Sequence, residues 1–413
     1  MARFLFVSAP LSGHLDWGGY LSTAVALAAR GHEVLWASGA AVAPHLHQAG
    51  IAHHILAETG WRWPPPPPLP ATDPRTGAEL QRLRQLRALD QWLDEERVAA
   101  ATAELAAVAR AYQPDLIVGE MFVAAAALVA EMVEAPFAVA GWPASHPAHP
   151  AAEDDMARLA RDRLARLLSR FRLQGVHWTD EGPPALRSAR LHVTYWSPTW
   201  FAGVSLGEQT RHVGGLRPAA ATPLPDLRGA LPDPEEAPWV LVTLGTSFND
   251  DPNFFMAAAH AVDQMGGRAL VVLGRPLAAE VLAPLRGRLP ASARPLPHID
   301  YGRIIPHVAA AIHHGGAGTT HALVRHAVPQ IVVPHAADQG RQALGVQRSG
   351  VGLHLPAQSV TVPSLVAALA ATLPDLSEFR ARAQALQAEF HALGGAPAAA
   401  ELLVQSTNQP AIR

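Results

Sequence analysis

Residues 311–321 read AIHHGGAGTTH, and this run decides the fold class. Ala311–His314 fits the end of a buried strand, Gly315 and Gly316 make a turn, and Gly318–Thr319–Thr320 opens a helix. Glycine lets backbone approach a ligand, and a helix start offers free N–H groups and partial positive charge to an anion. A plain tight turn flanked by core histidines fits the same letters. The residues downstream favour the ligand reading. A strand over 330–333 comes next, and Asp338 and Gln339 follow it at its carboxyl side, the edge where open parallel sheets bind ligands.

Working outward, strand and helix patterns alternate in both directions. Strands are expected near 239–245, 269–273, 310–313, 330–333 and 351–354, with helical patterns between them and closing helices at 376–393 and 397–406. The first half repeats the theme. Residues 3–9 read as a strand, a loop carries Gly13, Gly18 and Gly19, an Ala/Leu helix runs to Arg30, Gly31 stops it, and a strand spans 33–37. Further elements are a helix over 78–111, a strand over 115–119, a helix over 122–134, a strand over 137–141, a helix over 153–173 and a strand over 190–195. Prolines 64–68 mark an extended surface loop, and 214–238, rich in Pro, Gly and Ala without periodicity, reads as a linker. The expected architecture is α/β, with two Rossmann-like domains whose parallel sheets face a central cleft. The boundaries are 1–213, the linker 214–238, 239–392, and a final helix within 393–413 crossing back to the first domain.

Composition narrows the chemistry. The chain has 413 residues, too many for one typical domain, with 49% hydrophobic and 16% charged residues, which suits two packed cores. A net charge of −3 gives no footprint for nucleic acid. Cysteine is absent, and every basic residue is arginine. Disulfides, thiolate ligands, lysine Schiff bases and the P-loop lysine are therefore excluded. The apolar stretch 121–142 is interrupted by Glu131, Glu134 and Pro136, so no transmembrane segment is expected, and with no signal peptide a cytoplasmic location follows.

Without lysine, an anion site must draw on backbone N–H groups, hydroxyls, histidine or arginine. Thr246 and Ser247, on the turn after the strand near 239–245, join His314 and the 315–319 turn as a credible diphosphate cradle. No strand-terminal Asp-x-Asp is present, so metal-free binding is expected. A histidine metal site at His313/His314 or His321/His326 is disfavoured, because adjacent residues at a strand end point to opposite sides. In the first half, His14 lies just past the opening strand and Glu120 ends the strand over 115–119, so both reach one sheet edge. Imidazole titrates near operating pH and suits a general base, and a carboxylate can hold its tautomer. Asp16 is a rival base, and His14 also fits a loop residue making local hydrogen bonds.

At these residues the chain resembles the family 1 glycosyltransferases, inverting nucleotide-sugar-dependent enzymes of GT-B fold, in the style of the bacterial ones that decorate natural products. PHIDYGRIIPHVAAAIHHGGAGTTHALVRHAVPQIVVPHAADQ, residues 297–339, is similar to the family's donor-binding signature. SGHLDWGGYLSTAVALAARGHEV (12–34) and PDLIVGEMF (114–122) add to the likeness. The resemblance implies His14 as the base that deprotonates the acceptor hydroxyl, with Glu120 where the family usually has an aspartate. It implies diphosphate contacts from Thr246, Ser247, His314, Gly316, Gly318 and Thr319, base contacts around His298 and Ile299, and sugar hydroxyls held by Asp338 and Gln339. The first domain would bind the acceptor and the second the UDP- or dTDP-hexose, with no cofactor and no metal, in a monomer or homodimer. Trp17, Trp63, Phe122 and Trp142, with Trp61 and Trp92, are candidates to line the acceptor pocket. Trp17 stands where the family commonly has proline, Gly18–Gly19 look inserted, and Ala322 replaces a glutamate that many relatives place on the ribose. Alternatives are a nucleotide-sugar epimerase or cell-wall N-acetylglucosaminyl transferase of the same shape, or a non-catalytic ligand-binding relative. A dinucleotide oxidoreductase is disfavoured, since the first βα turn lacks G-x-G-x-x-G spacing.

Overall fold

The structure is a computed structural model that describes residues 1–15, 18–64, 66, 77–141, 144–149, 154–215, 237–246, 251–274, 286–335, 338–373 and 378–408. Two compact units emerge. One comprises Met1–Trp196, Val204–Gly214 and Leu393–Arg413, the other Ser197–Gly203 and Gly215–Ala392. Most of the linker expected over 214–238 lies outside the described residues.

The first unit is built on a seven-stranded sheet of order β3-β2-β1-β4-β5-β6-β7. Its strands are β1 (Arg3–Val7), β2 (Glu33–Ser38), β3 (Ala52–Ile55), β4 (Leu116–Gly119), β5 (Phe137–Val139), β6 (His192–Thr194) and β7 (Thr210–His212). Every pair is parallel. Leu5 and Val7 enter one core with Ile117 and Val139, while Phe4 and Phe6 enter the other with Leu116 and Val118. Covered on both faces, such strands are apolar without a break, as β1 is. Strand order reverses between β1 and β4, and that switch point leaves a crevice beyond the carboxyl ends of the two strands. The closing helix, Gly395–Thr407, belongs to this unit and buries Ala399, Ala400 and Leu403 in the second core.

The second unit carries a six-stranded parallel sheet of order β10-β9-β8-β11-β12-β13. The strands are β8 (Trp239–Thr243), β9 (Arg268–Val272), β10 (Arg294–Leu296), β11 (Val308–His313), β12 (Gln330–Val332) and β13 (Gly352–His354). Here the order reverses between β8 and β11, so the turns after those strands meet at a second switch point.

Sequence reading misses three strands, β3, β7 and β10, and all three are sheet edges. Their sequences, AHHI, TRH and RPL, are short and polar or contain proline, which suits an edge and hides the apolar signal. The single helix expected over 78–111 is two, Gly77–Trp92 and Glu95–Tyr112. Asp94 adopts extended backbone and its carboxylate accepts the Arg97 N–H, an N-cap that restarts the helix. No described helix is long and apolar enough to cross a membrane.

Candidate active site

At the first switch point, the turn after β1 leads into the short helix Ser12–Leu15, which carries His14. Glu120 directly follows β4. The structure brings the two together: His14 Nδ1 lies 3.2 Å from both carboxylate oxygens of Glu120. Glu120 is fully buried and also accepts the backbone N–H of Ala9, which fixes its carboxylate against the β1 turn. A carboxylate only accepts, so the His14 Nδ1–H is the donor of this contact. The extra methylene of glutamate is thus accommodated at hydrogen-bond reach. Tyr20 ties the switch point together, its hydroxyl lying 3.1 Å from the Val7 carbonyl and 2.9 Å from that of Val118. Burial, then the charge of Glu120, pushes this phenol well above its ordinary range.

Two aromatic rings flank the imidazole. Trp61 stands 5.3 Å and Phe122 5.7 Å from it, centre to centre, and 5.4 Å from each other. Trp63 is exposed two residues beyond Trp61. Trp92 stacks on Trp178 and, like Trp61, packs against the first core. Trp17, Trp142 and Asp16 lie outside the described residues.

At the second switch point, Gly245, Gly316 and His314 form one packed group. A Cβ at Gly245 would fall 2.7 Å from the His314 ring, and one at Gly316 would fall 2.3 Å from its Nε2. These glycines are therefore required by the histidine itself, before any ligand. Gly318 differs: nothing lies within 4 Å of a Cβ built there, and the residue is exposed. It sits in the first turn of the helix Ala317–Arg325, which no side chain caps. Burial, reinforced by nearby His335, lowers His314 to about 4, so its imidazole is neutral at pH 7. His313 is committed to structure. Its Nε2 lies 3.0 Å from Gln330 Oε1 and its Nδ1 accepts the Gly315 N–H at 3.1 Å, while burial lowers it to about 3.

The other expected donor residues spread along the same sheet edge. Thr246 is exposed after β8, and Ser247 lies outside the described residues. The Thr319 hydroxyl is 3.0 Å from that of Tyr301, a partner that sequence reading did not single out. His298 is exposed and Ile299 buried, both following β10, two strands or about 10 Å from β8. Asp338 precedes the helix Gln339–Arg348, and Gln339 accepts the His335 N–H at 2.7 Å. His335 was also missed, although it lies within the HAADQ run. Its Nδ1 is 2.8 Å from the Val333 carbonyl and its Nε2 3.3 Å from Asp251 Oδ2, while Asp251 Oδ1 caps the helix Pro252–Gln264. Both ring nitrogens of His335 therefore face an oxygen acceptor. Among the described residues no group of His, Asp and Glu is arranged to hold a metal ion.

Residues 276–406 match the family described as erythromycin biosynthesis protein CIII-like, C-terminal domain. Over 409 residues the chain is 24% identical to the NDP-glycosyltransferase YjiC of Bacillus subtilis, covering 95% of this chain and 94% of that protein. The crystal structure of the glycosyltransferase SnogD from Streptomyces nogalater superposes with a TM-score of 0.70 at 22% identity, over 98% of this chain and all of that one. The glycosyltransferase SsfS6 of Streptomyces sp. SF2575, solved with thymidine diphosphate, gives a TM-score of 0.63 at 21% identity, over 98% of this chain and all of the other. The resemblance to the family 1 glycosyltransferases read from the sequence holds, and the fold is theirs.

Proposed function

We propose that this chain, with the GT-B fold and an erythromycin-biosynthesis-type C-terminal domain, is a metal-independent, inverting O-glycosyltransferase. It moves a hexose from a UDP- or dTDP-sugar to a hydroxyl of a small, largely apolar natural product. The observation that carries this reading is the His14–Glu120 pair at the first switch point, an imidazole held in one tautomer by a buried carboxylate. Likeness to proteins named as glycosyltransferases over nearly the whole chain supports it, as does the thymidine diphosphate held by a protein of the same fold.

In this mechanism the unit with β1–β7 binds the acceptor and the unit with β8–β13 binds the nucleotide sugar. His14 Nε2 takes the hydroxyl proton while Glu120 stabilises the imidazolium that forms. The acceptor oxygen attacks the anomeric carbon on the face opposite the nucleotide, the bond from that carbon to the diphosphate breaks, and configuration inverts. The leaving charge settles on the Ala317–Arg325 helix start, the hydroxyls of Thr246 and Thr319, and His314. Asp338 and Gln339 hold sugar hydroxyls, and the segment at His298 and Ile299 meets the base. Positioning of both substrates supplies most of the rate, and the base contributes about 10²–10⁴-fold.

The test is His14→Ala. Transfer should fall by about 10²–10⁴-fold, while the thermal shift produced by UDP or dTDP is retained. Turnover at the unmodified rate would refute the assignment of the base.

A further inference from the structure

The loops after three adjacent strands line an open pocket that includes Trp61 and Trp63, two of the residues expected to face the acceptor. Pro10 follows β1, Gly39–Ala41 follow β2, and Ile55 ends β3 with Leu56–Thr59, Trp61 and Trp63 beyond it; together they line about 300 Å³. This is the carboxyl edge of the sheet that carries His14 and Glu120, the edge where parallel sheets take their ligands. The volume lies at the small end of the ~300–1,000 Å³ range of ligand pockets.

Three observations say what would fill it. First, Ile55 and Trp63, 50% and 43% exposed, are two of only five large apolar side chains left exposed among the described residues, and both line this one cavity. Apolar surface concentrated in a concave site marks a ligand rather than chance. Second, Trp61 lines the cavity and is also the ring packed against His14, so the cavity and the base share a wall. Third, the Trp61 indole N–H is buried without a hydrogen-bond partner among the described residues, so a ligand oxygen would complete it. At the far wall, Arg97 is 2.7 Å from Glu58, a polar pair able to meet a hydroxyl or carbonyl.

We infer that this cavity seats the body of the acceptor, and that the acceptor is a flat, polyhydroxylated aromatic aglycone of a few fused rings rather than a macrolactone. Two indoles supply faces for a planar ring system, and the small volume disfavours a bulky, puckered macrocycle. Trp61 is then the specificity-determining residue: a ring stacked in the cavity bears on the same indole that packs against the base. The inference rests on the glycosyltransferase reading, and the experiment separates the two.

The full-length chain is given UDP-glucose or dTDP-glucose with a dihydroxyanthraquinone, a 14-membered macrolactone and a linear aliphatic alcohol, and glycosides are measured by mass spectrometry. Binding of each acceptor is followed separately by quenching of tryptophan fluorescence. The anthraquinone should be the preferred acceptor. Trp63→Ala should raise its KM about tenfold, the scale of one lost aromatic stacking contact. Trp61→Phe, which keeps a ring against His14 but removes the N–H, should raise KM severalfold. Val176→Ala, an exposed apolar residue elsewhere in the same unit, is the control for a general surface effect and should leave KM alone. Preference for the macrolactone, or an unchanged KM in Trp63→Ala, overturns the inference and leaves the transferase reading standing. Anthraquinone binding that depends on Trp63, without transfer of any sugar, upholds the cavity assignment and sinks the transferase reading instead.

Discussion

At the scale of single residues, the three glycines of the 315–318 turn are not equivalent, and the difference can be measured. A methyl group at Gly316 would overlap the His314 ring. Gly316→Ala should therefore destabilise the second unit by about 1–3 kcal/mol, the usual cost of overpacking, and reduce nucleotide affinity by displacing His314. Gly318→Ala meets no protein atom, so its thermal midpoint should match the parent within about 1 °C, helix propensity even favouring alanine. If the nucleotide diphosphate approaches that turn, Gly318→Ala should nonetheless weaken dTDP binding, which calorimetry would record. Much at this scale was legible in the sequence. Glu120 directly follows the apolar central strand β4, and His14 lies on the turn and short helix after the apolar central strand β1, so a parallel sheet alone brings both to one edge. His335 and Tyr301 were not, since a histidine and a tyrosine among many signal nothing until their partners Asp251 and Thr319 are known.

Among elements, the pairing of His335 with Asp251 joins the start of the Pro252–Gln264 helix to the loop after β12. The same loop orients Gln339 through the His335 N–H. Removing this clasp should loosen the proposed sugar site from a distance. Asp251→Ala, which abolishes both the helix cap and the partner of His335, is expected to raise the nucleotide-sugar KM about tenfold. Asp251→Asn, which retains an acceptor for the cap, should recover part of that loss. Equal kinetics in the two variants and the parent would show that the clasp is idle. Element boundaries were the weakest part of the sequence reading. Central strands announced themselves by unbroken Val, Ile and Leu, whereas the edge strands β3, β7 and β10 lacked that pattern. The break at Leu93–Asp94 was concealed because the flanking residues form helices equally well on both sides.

Across the whole molecule, four histidines held well below their ordinary range shape the response to acid. Burial lowers His177 and His314 to about 4 and His192 and His313 to about 3, whereas an unfolded chain would protonate all four near 6.5. Between those values the unfolded state binds more protons, so stability is complete above about pH 6.5 and falls as the pH drops towards 3 to 4. Each unit contains two of them. Scanning calorimetry between pH 7 and pH 5 should show both units losing on the order of 10 °C in midpoint. A midpoint that is flat over this interval would mean that these rings are already charged or solvated in the folded protein.

Ser197–Gly203 leaves the β1–β7 unit to join the other, where the Trp200 indole lies so close to Gly345 that a Cβ there would be 2.0 Å away, and the helix Gly395–Thr407 makes the reverse journey. Each lobe is therefore completed by a piece borrowed from the far side of the 216–236 stretch. Severing the polypeptide in that stretch would yield two fragments that are each incomplete alone and complementary to one another. Gene halves divided there are best expressed together, and shuffling lobes between relatives requires exchanging the borrowed pieces along with the sheets.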